Sequence, residues 1–155
     1  MFEPGTIAFI ENFEYTDGPP TPKIIVIIGE LDTGELVVFA KTTSQDYIPE
    51  DMIKSGCQEC TERNVSAYVF MEGEIVGKNL DGEDFSFDQN TFMFIRQNVI
   101  ARESEQLKNY IKGQDFRILG ELNEYDFKAF VECMISSKLI SRGMRKKVQK
   151  TQGLI

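Results

Sequence analysis

The stretch that most constrains this chain is an unbroken apolar run: Ile24, Ile25, Val26, Ile27 and Ile28. Successive side chains of a strand point to opposite faces, so a run of β-branched residues leaves no face for water. It predicts a central strand covered on both sides. The run is far shorter than the roughly 20 residues a membrane helix needs. Leu31-Asp32-Thr33-Gly34 follows as a short connection, and residues 36–40 return antiparallel as the hairpin partner.

Other short strands are expected around this pair. Residues 6–13 read as a partly alternating strand, and residues 16–22, with three prolines and an Asp-Gly pair, as a loop. Residues 46–64 are polar and irregular, with one helical turn near 51–54. Residues 66–71 and 91–95 predict strands, separated by an acidic, glycine-containing loop over 72–84. A short helix is expected over 103–112, ended by Gly113, then a small strand over 116–119. The clearest helix runs from Asn123 to Leu139. Asn123 is suited to cap it, Asp126 to its positive end, and Phe127, Phe130, Val131, Met134, Ile135 and Leu139 form one apolar stripe. With 155 residues the chain builds one substantial core. The expected division is a single domain over residues 1–140 and a basic tail over 141–155.

Charge divides the same way. The net charge is −8, yet all 25 acidic residues lie at or before Glu132, and six basic residues with no acid lie from Lys138 onward. Eleven basic against 25 acidic residues give the part before Lys138 a net charge of −14. Such a body disfavours broad phosphate binding, so a nucleic acid needs a local basic cleft or the tail.

Three cysteines, Cys57, Cys60 and Cys133, cannot all pair within one chain. They read as ordinary thiols of a reducing compartment, and Cys57-x-x-Cys60 with no histidine is too few ligands for zinc. Met1-Phe2-Glu3-Pro4 lacks the basic and apolar regions of a secretory signal. The expectation is cytoplasmic, with no membrane association, metal or cofactor.

Two constellations carry candidate chemistry. Asp32-Thr33-Gly34 has the form of an aspartic-protease loop, but Glu30 and Glu35 flank it and would disturb a coupled carboxylate pair. Hairpin-turn chemistry is the simpler reading. Pairing residues 24–28 with 36–40 would also bring Lys23 to the same open sheet end as Thr42, Thr43 and Ser44. A cation beside short hydroxyl donors is what phosphoryl transfer uses to steady developing charge. A solvated strand-end lysine beside a polar turn is the alternative.

Several ordered segments resemble the MazF/PemK toxins. Gly5-Thr6-Ile7 opens a strand, a glycine/proline loop follows, and Lys23 starts an aliphatic strand. Lys41-Thr42-Thr43-Ser44-Gln45 is similar to the family's Thr-Ser segment, residues 87–97 to its Asp-Ser-aliphatic strand, and Leu119-Gly120-Glu121-Leu122 to the start of its last helix. The resemblance spans roughly residues 5–139. It implies a mainly β fold with α, a small SH3-like antiparallel barrel with appended C-terminal helices, usually homodimeric. It implies the toxin of a toxin–antitoxin pair, a metal-independent endoribonuclease cutting single-stranded RNA and held by a cognate antitoxin. Carried over, Lys23 takes the place of the family's catalytic arginine, and Thr42, Thr43 or Ser44 that of its hydroxyl. Lysine is a point charge without arginine's fork. RNA bases would stack on aromatics such as Tyr15, Tyr47 or Phe13, with Gln45 and Arg96 as further RNA contacts. The rivals are a non-catalytic barrel that binds and inhibits a protein target, as the CcdB toxins do with DNA gyrase, and an adaptor barrel.

Overall fold

The computed structural model describes residues 3–13, 19–42, 48–113 and 115–155. Its centre is the expected hairpin of β2 (Thr21–Glu30) and β3 (Glu35–Thr42), extended to a meander by β1 (Thr6–Phe13), which pairs with β2. All pairings are antiparallel, with Ile7 opposite Val26 and Val26 opposite Phe39. Leu31 to Gly34 form the β2–β3 turn. Leu31 N–H donates to the Glu35 carbonyl at 2.8 Å, and Gly34 takes φ +88°, a left-handed conformation suited to glycine. The Asp-Thr-Gly motif is therefore a hairpin turn.

Later segments complete two sheets. They are β4 (Gly56–Cys60), β5 (Val65–Phe70), the two-residue β6 (Gly77–Lys78) and β7 (Asp84–Phe85), β8 (Thr91–Phe94), β9 (Val99–Glu103) and β10 (Phe116–Leu122). The large sheet has the order β7-β6-β10-β1-β2-β3-β9, the small one β4-β5-β8. Among the described residues the fold is mainly β with four helices, and the strands form two separate sheets instead of one closed ring.

β2 shows why layers are needed on both faces. Val26 and Ile28 enter one cluster with Val37, Phe39, Tyr68 and Phe130; Ile25 and Ile27 enter another with Leu36, Val38 and Leu107. The first face is covered by the small sheet and by α3 (Glu124–Ser136), the second by α2 (Ser104–Lys112). A four-residue helix, α1 (Ile95–Asn98), links β8 to β9. The Asn123 side chain accepts from Asp126 N–H at 2.7 Å, the expected cap, and Phe130 and Met134 are fully buried.

The loop expected over 16–22 gives its last two residues to β2, the strand expected over 116–119 runs on to Leu122, and three larger expectations are corrected. Residues 56–60 form an edge strand instead of irregular chain, and α3 ends at Ser136, so Leu139 lies beyond it. The basic tail is the third. Its α4 (Arg142–Thr151) packs on the core, with Val148 fully buried and Met144 beside the first cluster. The Arg145 guanidinium donates to the carbonyls of Ile135 (3.0 Å) and Ser137 (2.6 Å), satisfying oxygens at the exit of α3. Gly29 on β2 is the counterpart, since a Cβ there would sit 2.7 Å from Thr151 Cβ.

Burying one valine and making two charge-assisted hydrogen bonds is together worth about 3 kcal/mol or more. Deleting residues 141–155 is therefore expected to lower the melting temperature by roughly 6–12 °C, the scale for a domain of this size. A shift of only a degree or two would show that α4 is not part of the folded unit.

Candidate functional site

The end of the large sheet at the start of β2 is the first place where chemistry gathers. Lys23 lies between Ile10 of β1 and Thr42 of β3, each its Cα partner across the ladder. Facing Cα atoms in such ladders are about 4.5–5.5 Å apart. The expected meeting of Lys23 with Thr42 thus exists in the backbone. Lys23 is only 4% exposed, however, so the open-rim position expected for it is corrected. The cause is its register: alternation puts Lys23 on the face of Ile25 and Ile27, the face α2 covers. Lys41, opposite Ile24, is also buried.

Arg96 is brought to the same end. β9 begins with Val99 opposite Phe39 and runs antiparallel toward Glu103 opposite Glu35. The chain before Val99, including α1 and exposed Arg96, therefore lies toward the Thr42 end, but on the opposite face from Lys23, since Ile95 of α1 joins the Val26 cluster. Thr43, Ser44, Gln45, Tyr47 and Tyr15 lie outside the described residues. Phe13 is fully buried, its ring 6.0 Å from that of Tyr110, with the Arg102 guanidinium 6.0 Å from its centroid. It has no free face for a base, so its expected stacking role is corrected.

A second place was not foreseen. α3 presents Tyr125, Asp126, Ala129, Glu132, Cys133 and Ser136 along one side, at spacings that recur on a helix. Opposite stand Ser55, Gly56 and Cys57 at the head of β4, with Glu74 from the turn after β5. The cleft between them has a volume of about 610 Å³, and Tyr68 also lines it. Ser55 Oγ donates to the Glu74 carboxylate at 2.7 and 2.9 Å. Burial pushes the Asp126 carboxyl up, against the lowering effect of its Asn123 hydrogen bond, and Glu74 adds to the rise. Burial, followed by the charges of Asp126 and Glu74, pushes the Tyr68 phenol up to about 12.

The wall of this cleft is covalent: Cys57 and Cys133 form a disulfide, leaving Cys60 as the free thiol. The expectation of three ordinary thiols is overturned, and with it the cysteine argument for a reducing compartment. The pair is 76 residues apart, and nothing local to either cysteine marks the other as its partner. The hairpin that places Lys23, by contrast, follows from one short turn.

No helix among the described residues is long and apolar enough to cross a membrane. No protein-family model, curated protein or solved structure matches this chain.

The disulfide makes a direct prediction. Thiol titration of the unfolded, unreduced protein should find one reactive cysteine per chain, and three after reduction. By loop-closure entropy, reduction should also lower stability by about 4 kcal/mol in denaturant titrations. Three thiols before reduction would remove the cross-link.

Proposed function

We propose that this protein is a MazF/PemK-like endoribonuclease, the toxin of a toxin–antitoxin pair, cutting single-stranded RNA at the Lys23 end of the large sheet. The observation that carries the reading is the Lys23–Thr42 cross-strand pair. The ordered motif resemblance supports it, and the two sheets are read as an opened relative of the family's SH3-like barrel. A homodimer, neutralised by a cognate antitoxin protein, belongs to the same proposal.

In this reaction the 2′-hydroxyl oxygen of one nucleotide bonds to its own 3′-phosphorus while the bond from phosphorus to the next 5′-oxygen breaks. The 2′ proton leaves and the 5′-oxygen gains one, giving a cyclic phosphate and a free 5′-hydroxyl. Arg96, exposed, meets the RNA backbone first. Lys23, largely shielded from water, stabilises the extra charge on the phosphoryl oxygens, where a low dielectric makes a cation count for more. Hydroxyls of Thr42, Thr43 and Ser44 orient the phosphate, and Tyr15, Tyr47 and Gln45 hold the unstacked bases.

A second reading, a non-catalytic barrel that inhibits a protein target, is favoured by the −14 charge before Lys138, which repels phosphate.

The test is incubation of the purified protein with a long single-stranded RNA and mapping of the cut ends. The proposal expects defined ends carrying cyclic phosphate. Lys23→Ala should lose at least about a hundredfold in rate, the effect of removing one transition-state donor. Arg96→Ala should weaken binding and flatten its salt dependence more than it slows cutting. Because Lys23 is buried, each variant's melting curve is read alongside. Wild-type cleavage by well-folded Lys23→Ala would remove Lys23 from the mechanism, and no cleavage by the wild type would favour the protein-binding reading.

A further inference from the structure

The cleft between α3 and the head of β4 is separate from the Lys23 end, and the proposed RNA chemistry makes no use of it. Its charged lining residues are Glu74, Asp126 and Glu132, with no lysine or arginine among those that line it. Acidic residues alone define no ligand, because carboxylates usually just face solvent. Tyr68 supplies the second observation. It is 5% exposed, and among the described residues its hydroxyl makes no hydrogen bond, so that oxygen takes its partner from solvent or a ligand.

That hydroxyl is not sealed in the core. Among the described residues no fully buried side-chain oxygen or nitrogen lacks a partner, so the Tyr68 oxygen must touch open space, and the cleft it lines is that space. The charges it feels most, Asp126 and Glu74, are residues of the same lining. The cleft is therefore lined by three carboxylates and by the tyrosine whose hydroxyl is open. The ring of Tyr125, 80% exposed, stands at its edge. Carboxylates only accept hydrogen bonds, so the matching occupant is positive and carries several donors.

The size of the cleft narrows the choice. About 610 Å³ falls in the range of organic-ligand sites and far exceeds a bare ion. No group of three or more His, Cys, Asp or Glu side chains among the described residues is arranged to hold a metal. An ammonium or guanidinium on an organic stem meets both conditions, and Tyr125 offers it an aromatic face.

We propose that this cleft binds an organic cation, an alkylammonium or guanidinium group, through Glu74, Asp126, Glu132 and the Tyr68 hydroxyl. Two sources carry that chemistry: a lysine or arginine side chain on a peptide, and a free polyamine. The disulfide holds the two walls at a fixed separation, so the site is formed before the ligand arrives.

The test is calorimetric titration of the oxidised full-length protein with three probes at low salt. They are a short arginine- and lysine-containing peptide, spermidine, and the same peptide with citrulline and norleucine in place of the cations. Saturable binding of a cationic probe, with the neutral peptide at least about tenfold weaker, is the expected result. The cationic probe that binds more tightly identifies the source. Glu74→Gln combined with Glu132→Gln should weaken binding tenfold or more, the scale of a charge-assisted hydrogen bond. Tyr68→Phe separates a site from general attraction to an acidic surface. It removes a hydroxyl that the fold does not use, so the melting temperature should hold while affinity falls several-fold. Equal binding of charged and neutral peptides, no binding at millimolar concentration, or unchanged affinity in Tyr68→Phe would overturn the proposal. RNA cleavage should be unaffected in all of these variants, so this result and the fate of the nuclease reading remain distinguishable.

Discussion

Burial of β2 on both faces is the constraint from which the other layers follow. Ile25 and Ile27 point one way and Val26 and Ile28 the other, and neither pair tolerates water. A sheet with such a strand at its centre needs two covers, and the chain supplies them from different places. α2 closes one side; the small sheet, α3 and α4 close the other. The same alternation reaches Lys23, so a cation at the strand's start is drawn into the apolar face instead of projecting from an edge. Its buried position is a by-product of register with chemical consequences.

What was legible in the sequence tracks how much apolar surface each element carries. β1, β2, β3, β5 and α3 bury much of their length, so alternation or helical periodicity marked them. β4 reads Gly-Cys-Gln-Glu-Cys and lies at a sheet edge with Cys57 and Glu59 exposed, leaving almost no hydrophobic pattern to find. β9 is a five-residue edge strand ending in Arg102 and Glu103, and the second of these was assigned to the following helix. α4 has few apolar residues, so its six-cation neighbourhood reads only as a basic tail. Its docking depends on Val148 and on the missing side chain of Gly29, a signal that resides in another strand.

The candidate sites differ in the same respect. Lys23 and Thr42 could be paired in advance because a two-strand hairpin with a four-residue connection has little freedom of register. The acidic cleft could not, because its walls come from residues 55–57, 68, 74 and 125–136, gathered only by the packing of α3 on the small sheet. Arg145 is engaged with carbonyls of the α3 exit, and Lys147 lies 3.6 Å from Glu35, so part of the basic tail's charge is used within the fold.

The bond between Cys57 and Cys133 also closes the backbone into a ring that contains β5 through β10, α1, α2 and most of α3. The exposed acidic turns around Gly73 and Gly82 lie inside that ring. A protease that nicks either one would leave two polypeptides tied as one particle, their strands still paired through β10 and β1. Only a reductant would then make the two pieces separable. Whether cleavage there ends the protein's working life would depend on the thiol chemistry of its surroundings as much as on the protease.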